Sequence, residues 1–349
     1  MKLLSELFLF AATAFASAAH AADPPAVPAI PAEVTAMLLE HRGEWRTEGW
    51  IIEGEKRTPV KASWECKAAV NGVGNVCTWN HEWVDRQHDS AVDIMGYDPC
   101  LKVLRIQRVS DTGIMGPGAE VTVRGNTMTV VRESSSEDGK PRVMRNEIVV
   151  TKPGEWDQHI TMDEDGKRVR EWKMTQRRVT ASTGAAAPRP DPSPAAEIPA
   201  EVVTWLQGQR GSWRSEGMII KGDERTPAAA TWECHAAVNG IGNVCTWNHE
   251  WTDRPHDSAL EIAGYDPRLK MMSITRVNDN GIIGESVSVP VPVGGNTVST
   301  ERRFTENDKP AVMRNEIVAK SPDERSQRMW VEVDGKVVRE FTVTHRRVK

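Results

Sequence analysis

After its first twenty residues the sequence has no long apolar run, so no later stretch offers a membrane-crossing helix. Tyrosine and phenylalanine are scarce, at 2 and 5 in 349 residues. The net charge is a mild -5 with no dense basic block, which removes the electrostatic footprint of a nucleic-acid binder. The P-loop, the Rossmann glycine pattern, the zinc-protease HExxH and the nucleophile elbow GxSxG are all missing. Asp111-Thr112-Gly113 has the letters of an aspartic-protease triplet, but its counterpart Asp279-Asn280-Gly281 breaks the pattern, and both suit hairpins. The 5 cysteines are spaced too widely for a thioredoxin-type pair. Nothing in the sequence calls for a catalytic residue, a cofactor or a metal.

What the chain does have is tryptophan, 13 in all, and an internal repeat. Gly43 to Pro99 matches Gly211 to Pro267 at 41 of 57 positions, and the likeness extends over residues 30–179 and 198–349. Residues 1–21 read as a signal peptide: Lys2, an apolar run from Leu7 to Ala18, and a small-x-small cleavage pattern at Ala19-His20-Ala21. This predicts a periplasmic or secreted protein in an oxidising compartment. Residues 22–29 read as a mobile lead-in, and residues 180–197, rich in alanine and proline, as an extended linker that lets the two repeats sit apart.

Each repeat opens with a short helical pattern, PAEVTAMLLEHR and PAEVVTWLQGQR, with Pro31 or Pro199 at the first turn and a glycine after the end. Short alternating apolar runs follow, punctuated by Asn71-Gly72, Asp138-Gly139, Asp165-Gly166, Asn239-Gly240 and Asp334-Gly335, which fit tight hairpin turns. The sum is an antiparallel all-β domain, present twice.

A two-residue turn at Asn71-Gly72 puts Cys66 opposite Cys77, Trp64 opposite Trp79 and Ala62 opposite His81. The same arithmetic pairs Cys234 with Cys245, so one disulfide per repeat is expected in an exported protein. Strand alternation then gives Trp64, Cys66, Cys77, Trp79, His81 and Trp83 one shared, interior face. His81 and His249 are either buried structural groups or part of a pocket wall. On the second reading the ligand-binding residues are Trp79, His81 and Trp83, with Trp247, His249 and Trp251 in the second copy. Arg145 and Arg314 either lie on a solvated strand face or add a polar interior patch to that wall.

Alternation also turns Val92 and Ile94 inward with Asp93 in water, and likewise Leu260 and Ile262 with Glu261. In the last strands Trp172, Met174, Gln176 and Arg178 share a side, as do Phe341, Val343, His345 and Arg347, and either arginine can stack on a tryptophan. Cys100 has no partner in the second copy, where Arg268 stands. It reads as a sheltered thiol, or as the bridge of a dimer in an otherwise monomeric protein.

The order of Gly43-Glu44-Trp45 or Gly211-Ser212-Trp213, a central Gly-Tyr-Asp-Pro and a closing Arg-Arg resembles the DUF1579 family, of lipocalin-like (calycin) pattern. The resemblance covers nearly all of both repeats. It implies two tandem lipocalin-like antiparallel β-barrels, each preceded by a short helix, with Trp45 and Arg178 closing one end of the first and Trp213 and Arg347 one end of the second. Some distantly similar barrels hold haem through a late histidine. His345 stands near that place, but its counterpart is Gln176. The favoured function is non-catalytic binding of a small, mostly apolar ligand in one or both barrels, with no membrane span. The alternatives are a hydrolase or isomerase using His81 or His249 as base, with Arg145 stabilising an anion, and a structural protein-interaction module.

Overall fold

The alternating, turn-punctuated sequence folds as twenty strands and two short helices in a computed structural model that describes residues 30–69, 74–84, 88–98, 102–110, 118–135, 140–179, 198–237, 242–252, 255–266, 270–278, 287–290, 296–306 and 309–348. The expected signal peptide, lead-in, linker, Asn71-Gly72, Asn239-Gly240, Asp138-Gly139 and Cys100 lie outside the described residues.

In the first repeat α1 (Ala32–His41) leads into β1 (Gly43–Glu53), β2 (Lys56–Ala68), β3 (Asn75–Trp83), β4 (Asp89–Asp98) and β5 (Val103–Ser110). β6 (Ala119–Arg124), β7 (Thr127–Ser135), β8 (Pro141–Lys152), β9 (Glu155–Glu164) and β10 (Lys167–Arg178) complete it. Every strand pairs antiparallel with its neighbour in sequence, and β10 returns to pair with β1, giving a closed ten-stranded barrel. Closure leaves no unpaired edge. Asp165-Gly166 takes positive φ at both residues, 50° and 73°, as the tight β9–β10 hairpin requires.

The second repeat follows the same course: α2 (Ala200–Gln209), β11 (Gly211–Lys221), β12 (Glu224–Ala236), β13 (Asn243–Trp251), β14 (Asp257–Asp266) and β15 (Met271–Asn278). Then come β16 (Val287–Pro290), β17 (Thr297–Glu306), β18 (Lys309–Ser321), β19 (Glu324–Val333) and β20 (Lys336–Arg347). Its ten strands run in the order β16-β15-β14-β13-β12-β11-β20-β19-β18-β17, and among the described residues no ladder joins β16 to β17. The second unit is thus an open sheet where a closed barrel was expected. The sequence supplies a reason. Pro290, the last residue of β16, lacks an N–H and cannot donate to a further ladder there. The first copy has Thr122 there, since Val289 pairs with Met272 as Val121 pairs with Leu104.

Both disulfides form as the hairpin arithmetic requires. Cys66 pairs with Cys77 and Cys234 with Cys245, each directly across the ladder. In the first barrel the bridge lies in a core with Trp45, Trp64, Trp156, Leu104, Val121 and Met128, covered by Val34, Met37 and Leu38 of α1.

One expectation about faces is overturned. Val92, Ile94 and Val109 do not enter the first barrel; they point outward and form one buried apolar cluster with Leu260, Ile262 and Val277 of the second unit, flanked by Ala69 and Ala237. The contributions match position for position, so the contact has an internal near-twofold symmetry. Gly74 and Gly242 allow the approach, since a Cβ on Gly74 would meet Val277 Cγ2 at 3.0 Å and one on Gly242 would meet Val109 Cγ2 at 2.9 Å. The two units therefore pack on each other through strand faces that local alternation assigns to the barrel cores. Asp93, expected in water, is 5% exposed on the interior side.

Candidate functional site: the barrel interior

The register of β1, β2 and β3 sets Trp45 opposite Trp64 and Trp64 opposite Trp79. Their rings stack at centroid distances of 5.1 and 4.5 Å. At Trp79 the stack turns along β3, where residues two apart share a face. His81 lies 5.8 Å from Trp79, and Trp83 lies 5.4 Å from His81, both nearly parallel. The second unit repeats the five-ring stack through Trp213, Trp232, Trp247, His249 and Trp251, at 5.0, 4.8, 6.0 and 5.4 Å.

One end of each stack is plugged. The last carbonyls of α1 need donors from outside the helix. Asn75 Nδ2 donates to Leu38 O at 2.7 Å, Trp45 Nε1 to His41 O at 2.8 Å, and Arg178 Nη2 to Glu40 O. The Arg178 guanidinium also lies 4.9 Å over the Trp45 ring. In the second unit Asn243 Nδ2 donates to Leu206 O, Trp213 Nε1 to Gln209 O and Arg347 Nη2 to Gly208 O, with Arg347 4.5 Å over Trp213. The asparagines escaped the sequence reading, although both copies carry them in the same Asn-Val-Cys-Thr-Trp run.

The other end is accessible. Interior-facing side chains near α1, such as Trp45 and Trp156, are almost wholly buried, whereas Trp79, His81, Trp83, Met144, Ile160, Met162, Trp172 and Met174 are half-buried on the same interior face. Solvent therefore reaches the interior from the end away from α1. There Asp89 joins two members of the stack: His81 Nδ1 meets Asp89 Oδ1 at 2.6 Å, and Trp83 Nε1 donates to Asp89 Oδ2 at 2.8 Å. Asp257 does the same for His249 and Trp251, at 2.5 and 3.0 Å. The aspartate fixes both ring orientations. Its sequence signal was an Asp-Ser pair kept in both copies at the start of the strand that pairs with the histidine strand.

The opposite wall is polar. In the first barrel Gln176 Nε2 donates to Gln158 Oε1 and Gln158 Nε2 to Asn146 Oδ1 across β10, β9 and β8. In the second unit His345 replaces Gln176. Its Nε2 donates to Gln327 Oε1 at 3.1 Å and its Nδ1 accepts from Ser215 Oγ at 2.6 Å, while Trp232 Nε1 donates to that same Oγ at 3.0 Å. This network holds His345 neutral. Burial first, then repulsion from Arg325, brings its pKa down to about 4. His41, beneath Trp156 in the first unit, is likewise pushed down to about 4 by burial, against its hydrogen bond to Met37 O.

Between the walls lies a charged cluster built on Asp93, which strand alternation in the sequence places in water. Arg108 grips Asp93 with both ends of its fork, at 2.7 and 2.7 Å, and stands 5.4 Å over the Trp79 ring. Burial works against its charge, but Asp93 and the nearby Asp89 more than offset that and hold its pKa above the ordinary arginine value. Arg276 repeats the arrangement with Glu261, at 2.9 and 3.2 Å, and lies 4.9 Å over Trp247. Arg132 on β7 adds a second guanidinium beside Arg108.

Arg145 and Arg314 stand elsewhere. The inward positions of their strands go to Asn146 and Asn315, so Arg145 is exposed on the outer face and Arg314 pairs there with Glu301 and Glu332. The pairing of His81 as base with Arg145 as anion stabiliser is not assembled, because the barrel wall separates them. Among the described residues no cluster of three or more His, Cys, Asp or Glu side chains is arranged to hold a metal ion, and no helix is long and apolar enough to cross a membrane.

No protein-family model matches the chain, and no curated protein matches it. Among solved structures it is similar to a protein of unknown function from the DUF3598 family of Nostoc punctiforme, at 12% identity over 90% of this chain and 98% of that one, with a TM-score of 0.27. It is also similar to the S-type phycobiliprotein lyase of Guillardia theta, at 13% identity over 42% of this chain and 92% of that one, with a TM-score of 0.30. The architecture stands on its own strand pairing, independent of these likenesses.

Proposed function

We propose that this is an exported, non-catalytic, lipocalin-like protein, each repeat a DUF1579-type unit, and that its barrel interior binds a small, mostly apolar ligand. The observation that carries this reading is the graded burial along the five-ring stack, sealed by α1 at one end and open to solvent at the other. Ligand sites combine apolar walls with a few convergent polar groups. The indole–imidazole wall faces the Asn146–Gln158–Gln176 row in that manner. The paired cysteines and the leading apolar segment support export to a periplasmic or extracellular compartment. The test is binding of the uncharged aromatic probe N-phenyl-1-naphthylamine, followed by its own emission and by tryptophan quenching. Binding about tenfold weaker in Trp79→Ala supports the lumen as the site, and no binding to the native chain defeats the proposal.

A further inference from the structure

Arg132 is unexplained by the fold. It sits on β7 opposite Met144, in the inward series with Met128 and Val130, which are buried in the barrel core. Its Nε is buried and has no hydrogen-bond partner. The carboxylates nearest to it are engaged by other groups. Arg108 takes both oxygens of Asp93, and the Asp89 carboxylate is held by His81 and Trp83. Arg108 and Arg132 therefore face two inward carboxylates, Asp93 and Asp89, whose described hydrogen bonds go to residues other than Arg132. Burial first, and then repulsion from Arg108, lowers the Arg132 pKa, while Asp93 opposes the shift only in part. A fixed cation left this way costs stability unless something pairs with it. Nothing in the plugging of the barrel or in the near-twofold contact uses it.

We infer that the ligand of the first barrel carries an oxyanion, a carboxylate, sulfonate or phosphate, which pairs with Arg132 while its apolar body lies against the Trp79–His81–Trp83 wall. This inference rests on the ligand-binding reading above and narrows it to amphiphilic anions. An oxyanion that offers two oxygens suits the guanidinium fork, whose hydrogen bonds to charged acceptors are roughly twice as strong as neutral ones. Arg302 holds the same register position in the second unit, opposite Met313, so both copies carry an arginine at this place in the ladder.

The experiment compares two probes that differ by one group: N-phenyl-1-naphthylamine, and 8-anilino-1-naphthalenesulfonate, which adds a sulfonate to the same ring system. The native chain should bind the sulfonate at least tenfold more tightly, with a preference that shrinks as salt is raised. The double variant Arg132→Met/Arg302→Met should lose that preference while binding the uncharged probe within about twofold of the native chain. Arg132→Lys/Arg302→Lys should keep part of it. Equal binding of the two probes by the native chain overturns the oxyanion inference and leaves the ligand-binding reading standing, as does an unchanged preference in the methionine variant. Failure of both probes overturns both. The native comparison and its salt dependence need no variant, so misfolding of the methionine protein does not remove the test.

Discussion

Asp93 shows how the interior is held. Its carboxylate is buried and gripped by Arg108, so Asp93→Ala would leave the guanidinium without its two-point partner, with Asp89 the carboxylate still nearby. Losing one partner of a fully buried pair costs about 3–5 kcal/mol. Arg108 keeps about a third of its side-chain exposure, so we expect about 2 kcal/mol in urea unfolding followed by tryptophan emission. Arg145→Ala, on the outer face, should change stability by less than about 0.5 kcal/mol. The two buried histidines act through pH. Their pKa values in the fold, about 4, lie below the ordinary 6.5. At neutral pH neither state is protonated. As pH falls through 6.5 the unfolded chain takes up protons that the fold refuses, so stability drops until about pH 4, by roughly 1.4 kcal/mol per pH unit for each histidine. His345→Gln, which installs the residue the first copy carries, should lose about 2–3 kcal/mol less than the native chain between pH 6.5 and 4.5 in urea titrations. An identical pH slope in the variant would mean that His345 is not held neutral by the fold.

Strands differ in how legible they were, and the difference has a physical origin. The β2–β3 ladder was readable because two cysteines and three tryptophans constrain one register, and a slip by one residue would have turned all of them outward. β10 was readable for a similar reason: Trp172 and Met174 are inward and Lys173 is outward. β4 was not readable. It is buried on both faces, with Asp93 and Met95 inside the barrel and Val92 and Ile94 against the second unit, so alternation marks two faces without saying which is the core. Asp89 and Arg132 were missed because their roles depend on pairing across strands whose loops give no register. The open edge between β16 and β17 is a further element whose cause is local. Pro290→Thr, restoring the residue of the first copy, returns an N–H donor to the end of β16. Amide exchange across Thr297–Glu306 should then slow relative to the native chain. If it does not, Pro290 is not what keeps the edge unpaired.

The two units form a whole through a contact that neither repeat shows in its own sequence pattern. Ile94 and Ile262 are both 0% exposed within the shared cluster, and each belongs to the outer wall of its own barrel or sheet. Because residues 180–197 tether the units, each meets the other at an effective concentration far above that of free domains, so a modest apolar contact suffices to hold them together. Ile94→Asp buries a carboxylate in this contact, and separation is the cheaper outcome for the protein than an unpaired charge. The units should then part, with a larger radius of gyration in solution scattering, while the five-ring stack, on the other side of the β4 wall, keeps its tryptophan emission. Ile262→Asp should have the same effect, since the near-twofold symmetry gives it the same surroundings. The double variant distinguishes a shared contact from two independent ones. Once the first aspartate has parted the units, the second sits in water at little further cost, so the two stability losses should fall well short of adding. Full additivity would mean that Ile94 and Ile262 are not members of one cluster.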